Sequence, residues 1–160
     1  MFASGLVCNS EAVRILTWNN VVIQSIHLAD LSYVHTLGAV MRKQLRTYPK
    51  GIVSLALMHT GFKPAPKDVR HEMSKLLKET QGRVHHVLVV EDVGLLAQLL
   101  ITVIRGVMVI GGNNVLYSLE TSRQSGIDKT LPLVQRGAGQ GGLETESDLR
   151  AALAYVTATR

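Results

Sequence analysis

The spacing of apolar residues changes along the chain in a way that separates strands from helices. The run GIVSLALMHTG, residues 51–61, is apolar from Ile52 to Met58 apart from Ser54. A strand with one wet face alternates apolar and polar positions. A near-continuous run of this length, between Pro49-Lys50-Gly51 and Gly61, predicts a central strand buried on both faces. Such burial needs helices above and below, so an α/β layered domain is expected. A ligand or partner site in such a domain gathers near the C-terminal end of the central strand.

Residues 1–12 read as a flexible arm. Residues 13–18 alternate, with Val13, Ile15 and Thr17 on one side and Arg14, Leu16 and Trp18 on the other. Asn19-Asn20 separates them from a second strand-like run, 21–28. Asparagine tolerates positive φ, so the pair predicts a β-hairpin. Asp30 or Ser32 can cap a helix reaching about residue 47. Its stripe is Val34, Leu37, Met41, Leu45 and Tyr48, and Arg42, Lys43 and Arg46 suit its C-terminal dipole. After the central strand, Ala65-Pro66 opens a helix with the stripe Val69, Met73, Leu76 and Leu77, stopped by Gln81-Gly82.

Residues 84–90 form the next strand, with His85 and His86 ahead of Val87-Leu88-Val89-Val90. Glu91-Asp92 ends it and caps a long helix, 94–110. That helix is apolar nearly all round, interrupted by Gln98, Thr102 and Arg105, and Gly111-Gly112-Asn113-Asn114 terminates it. A short strand, 115–120, and a weaker helix, 122–134, complicated by Pro132, follow. Residues 137–144, containing GAGQGG, read as a linker. The last helix, 145–157, starts at Thr145 and carries the stripe Leu149, Ala152, Leu153 and Val156. The order predicts an α/β domain over 13–136. Its sheet is mostly parallel, of four to five strands, with an N-terminal hairpin and packed helices; an extra helix, 145–160, follows.

Length, 160 residues, fits one domain. Aromatic residues are only 4% against 46% hydrophobic, so the core is aliphatic. The net charge of +5 leaves an acidic partner open. Basic residues are spread out, however, with no five-residue basic run and no interleaved aromatics, so no nucleic-acid partner is expected. The single cysteine, Cys8, excludes an internal disulfide and a cysteine-rich zinc site; neither metal nor cofactor is expected. The start, MFASGLVCNS, has no basic n-region or long apolar stretch, which points to a cytoplasmic protein.

The element order resembles the STAS fold of the anti-sigma factor antagonists and their SpoIIAA-like relatives. The segments WNNVVIQSIHLADL, YPKGIVSLALM, KPAPKDVRHEMSKLL, IRGVMVIGG and VLYSLETS are similar to uncharacterised STAS-like proteins of soil bacteria, over about residues 13–134. The resemblance implies a non-enzymatic regulatory module that binds a protein partner. STAS antagonists carry a phosphorylatable Ser or Thr after an aspartate at the end of the central strand. The matching stretch here is Leu57-Met58-His59-Thr60-Gly61-Phe62, with Thr60 as its hydroxyl. The aspartate and a Ser-Ser-Gly-like signature are missing.

Enzyme signatures are sparse. Gly126-Ile127-Asp128-Lys129-Thr130 has only a superficial likeness to the end of a phosphate loop, and neither G-x-G-x-x-G nor G-x-S-x-G occurs. His59, Thr60 and Lys63 could hold an anion at the start of the Pro66 helix. His85 and His86, adjacent on a strand, face opposite ways and do not chelate together. His27, His35 and His71 read as surface or boundary residues. The apolar helix needs cover on every side. Its outward remainder, taken as Leu96, Leu100, Val103 and Val107, predicts a patch for a protein partner or a second copy. Cover by the C-terminal helix is the structural alternative. At 17 residues with Arg105 inside, the helix is marginal for a membrane span. Membrane-surface association ranks second as a function. A small-molecule enzyme ranks third, and its mark would be a pocket near His59.

Overall fold

The computed structural model describes residues 4–10, 12–59, 61, 63–91, 94–134 and 142–158. Six strands form one sheet in chain order: β1 (Ser4–Asn9), β2 (Val13–Trp18), β3 (Val21–Ile26), β4 (Ile52–Met58), β5 (Val84–Val90) and β6 (Leu116–Glu120). β1, β2 and β3 pair antiparallel, and β3 through β6 pair parallel. The sheet is therefore mixed, with six strands in place of the expected four or five.

Parallel neighbours need crossover connections, which are α1 (Leu31–Thr47), α2 (Lys67–Thr80) and α3 (Leu95–Gly111). After β6 come α4 (Arg123–Thr130), a 3-10 turn (Leu131–Leu133) and α5 (Gly142–Thr157). β4 lies between β3 and β5, and all seven of its residues are buried. Asn19 takes φ of 50° in the two-residue turn that joins β2 to β3. The Asp30 carboxylate accepts from the Tyr33 N–H at 2.7 Å, so Asp30, and not Ser32, caps α1.

Strand alternation sorts the core into two layers. Val22, Ile26, Ile52, Ala56, Val84 and Leu88 pack against α1, α2 and α3. Val21, Ile23, Val53, Leu55, Val87 and Val89 pack against α4 and α5 through Ile127, Leu149, Leu153 and Val156. α4 approaches closely because residue 126 is glycine: a Cβ there would sit 2.5 Å from the Val89 Cγ2.

Three expectations change. The arm is a strand for Ser4–Asn9, held as an edge by backbone pairing to β2, with its register shifting between Leu6 and Cys8. The Glu91 carboxylate takes Arg123 as an ion-pair partner at 2.9 Å and does not cap α3; Asp92 lies outside the described residues. The stretch from Gly126 to Thr130 belongs to α4, in keeping with its merely superficial likeness to a phosphate loop, and the buried Thr130 hydroxyl donates to the Gly126 carbonyl at 2.8 Å. The last helix starts at Gly142, three residues before Thr145, and packs on the face opposite α3. Of the expected linker, residues 137–141 lie outside the described residues.

Candidate functional site

His59 stands just past the C-terminal end of β4. Its Nε2 shares a 2.6 Å hydrogen bond with the Ser25 hydroxyl, and its ring stacks on His27 with centroids 4.0 Å apart and planes 6° from parallel. Burial, first, and then His27 and Arg123 push the His59 pKa down, against an opposing pull from Glu91. These neighbours place the ring toward α4 and away from α2. Lys63 is exposed, and no hydrogen bond or ion pair joins it to His59. Thr60 lies outside the described residues. The His59 imidazole is thus taken up by Ser25 and His27, on the other side of the sheet from α2.

A cavity of about 110 Å³ lies between the sheet and α1, α2 and α3. Its lining is mostly aliphatic, with one row of polar residues on the sheet and Arg70 on α2. Gln24, Ser54 and His86 occupy the same face of three adjacent strands, β3, β4 and β5, and Ser54 is the direct register partner of His86. All three are buried. A polar group in an apolar layer is costly unless it is hydrogen-bonded. Most of the row meets that condition through a chain. The Tyr33 hydroxyl donates to Gln24 Oε1 at 2.6 Å, and Gln24 Nε2 donates to the Ser54 Oγ at 2.7 Å. Burial pushes the Tyr33 phenol pKa upward, so it stays a neutral donor.

His86 is the exception. It is 6% exposed, lines the cavity and has no hydrogen-bond partner among the described residues. Burial, helped by the neighbouring His85, pushes its pKa down to about 4, so it is neutral at pH 7. His85 faces the other layer, where its Nε2 is 3.2 Å from the Ser118 hydroxyl. Arg70 on α2, half-buried, contributes the one charged side chain to the lining.

Of this row, Ser54 and His86 were visible as residues but not as a site. Ser54 stands out as the interruption of the central run. Gln24 and His86 fall at matching strand parity, which is a usable signal once strand order is known.

The outer side of α3 is the second candidate surface. Leu100 is only 5% exposed and lines the cavity together with the half-buried Val103 and Val107. These three are therefore not the outward patch expected of them; the Leu96 side chain lies outside the described residues. The exposed apolar positions are Leu95 at 88%, Leu99 at 52%, Val109 at 71% and Ile110 at 62%. A helix apolar nearly all round carries no stripe that reveals which side meets the sheet, and the assignment turns on that phase. Among the described residues, no helix is long and apolar enough to cross a membrane. Comparison with known proteins finds no matching family model, no matching curated protein and no matching solved structure.

Proposed function

We propose that the chain is a non-enzymatic, STAS-like regulatory module that pairs with a second copy of itself through the outer side of α3. The hairpin followed by alternating strands and helices supports the STAS-like part of this reading. The exposed apolar stripe on α3 supports self-association, and it is the observation that carries the proposal.

Leu95, Leu99, Thr102, Gly106 and Ile110 follow one another at steps of three and four, which puts them on one side of the helix. An antiparallel pair of such helices about a two-fold axis sets Leu95 opposite Ile110 and Leu99 opposite Gly106. A Cβ at Gly106 would meet nothing within 4 Å, so that position is a recess open to the Leu99 side chain of the other copy. The stripe itself holds no charge, and Arg105, the only ionisable residue of α3, sits beside it. A two-fold contact of this kind uses the same patch twice and closes on itself.

The test is solution mass by light scattering across a concentration series, for wild type and Leu99→Glu. A wild-type dimer that becomes a folded monomer on substitution supports the reading. A wild-type monomer at every concentration overturns it. Co-sedimentation of that monomer with anionic vesicles would then favour the membrane-surface alternative. Leu99 suits the test better than Leu100, because a glutamate at the buried Leu100 would unfold the domain.

A further inference from the structure

A second site follows from the cavity on the inner side of α3, independently of any pairing through its outer side. We propose that this cavity binds a small uncharged molecule of about the size of phenol, with its apolar body among Leu37, Leu100 and Met108 and a single hydroxyl held by Ser54 and His86.

Size comes first. At about 110 Å³ the space exceeds what one water needs and approaches that of a single ring; an apolar cavity of ~150 Å³ takes up benzene. Water alone is a poor occupant for most of it, since a buried water needs two to four polar partners. Aliphatic residues from three helices and the sheet make up most of the lining, and the polar groups collect at the Ser54–His86 end.

Hydrogen-bonding capacity selects the head group. The Ser54 Oγ already accepts from Gln24, so its own O–H remains free to donate. A neutral imidazole offers one N–H donor and one bare nitrogen acceptor. His86 is buried beside Ser54 in register and brings both to the cavity without a protein partner for either among the described residues. A hydroxyl both donates and accepts, so it matches this pair; a purely apolar guest would leave His86 unsatisfied. A carboxylate seated at the same end would bring a charge into apolar surroundings against a neutral ring. Arg70, the one cation of the lining, is half-buried and so keeps contact with solvent. Four of the half-buried lining residues, Arg70 and Met73 on α2 and Val103 and Val107 on α3, put the mouth between those two helices, with the half-buried Ala65 just ahead of α2.

The experiment is a titration of the full chain with phenol, benzene and benzoate, followed by calorimetry and by methyl NMR shifts. Saturable binding of one phenol per chain is expected, at least tenfold tighter than benzene, with benzoate weakest. The methyl signals of Met108 and Leu100 should move most. His86→Leu should reduce phenol to the affinity of benzene while benzene still binds, which shows that the cavity itself is intact. Ser54→Ala, a one-atom deletion, should also lower the preference for phenol, and it keeps the test open if His86→Leu does not fold. Three results would overturn the proposal. Phenol that never saturates means the cavity holds water only. Equal affinity for phenol and benzene in the wild type removes the polar anchor. Benzoate as the tightest of the three, abolished by Arg70→Met, moves recognition to the cation.

Discussion

Leu55 and Ser54 are neighbours on β4 and face opposite layers of the same sheet. Leu55 enters a layer dominated by aliphatic residues and Trp18, closed by α4 and α5. Ser54 enters the layer under α1, α2 and α3, where Gln24, His86 and Tyr33 are also buried and a cavity remains. One strand thus serves two purposes. The dry layer supplies packing energy, and the polar layer spends part of it on hydrogen-bonding groups that a purely structural core would not need.

The largest test of this contrast is Leu55→Ala. Leu55 is completely buried, and truncating such a leucine loses its transfer energy and leaves a void. A loss of about 3–5 kcal/mol is expected in urea or guanidinium unfolding. Val103→Ala, on the half-buried edge of the existing cavity, should lose under ~1.5 kcal/mol, because less of its surface leaves water in the folded state. Equal losses at the two positions would break the distinction between a packed layer and an accommodating one.

A test of comparable size comes from His86. Its pKa falls from 6.5 to about 4 on folding. Between those values the unfolded chain binds a proton that the folded chain refuses, so stability rises with pH through this window. It is complete above about pH 6.5 and declines on acidification toward pH 4. The full loss amounts to about 3 kcal/mol. Burial displaces His59 and His85 in the same direction, but both are partly exposed and should contribute a shallower slope. The measurement is the unfolding free energy of wild type and His86→Leu at intervals from pH 4 to pH 7.5. The variant should be nearly flat where the wild type climbs. An unchanged slope would mean that His86 titrates normally and is wetter than its surroundings imply.

The dry layer was the more legible of the two. Val87 and Val89 of β5, the unbroken apolar stretch Leu55-Ala56-Leu57 of β4, and the Leu149, Ala152, Leu153, Val156 stripe of α5 all stand out by spacing. So does the Asn19 turn, since it depends on one residue and its immediate neighbours; the cap of α1 narrows only to Asp30 or Ser32 until the helix start is seen. β1 did not, because SGLVCN has no apolar alternation and owes its order to backbone pairing with β2. The phase of α3 did not either: the helix is apolar nearly all round, so Leu100 and Leu99 look alike in sequence and differ only when the sheet is present. The polar row fails for a third reason. Ser54 and His86 are far apart in the sequence, and only strand order with register makes them neighbours. His59 shows the converse. It follows directly on the strand end, and its ring meets Ser25 and His27.

The smallest effect separates the two layers most finely. Ser54→Ala removes one oxygen from the middle of the hydrogen-bonded chain and leaves its backbone and Cβ in place. Gln24 Nε2 then loses its acceptor, while Tyr33 continues to donate to Gln24 Oε1. Leaving a buried amide donor unpaired should cost about 1–2 kcal/mol. Replacing both partners by apolar groups need not, so the double variant Gln24→Leu with Ser54→Ala should recover part of what Ser54→Ala loses, offset by the Tyr33 hydroxyl that the new leucine strands. Tyr33→Phe added to that pair removes the last stranded donor and should bring stability back to the wild-type value or above it. Recovery along this series, measured as denaturant midpoints, would identify the chain as a polar insertion that stability does not require. A continued decline would instead make it part of the scaffold, and the two faces of the sheet would then differ in composition but not in purpose.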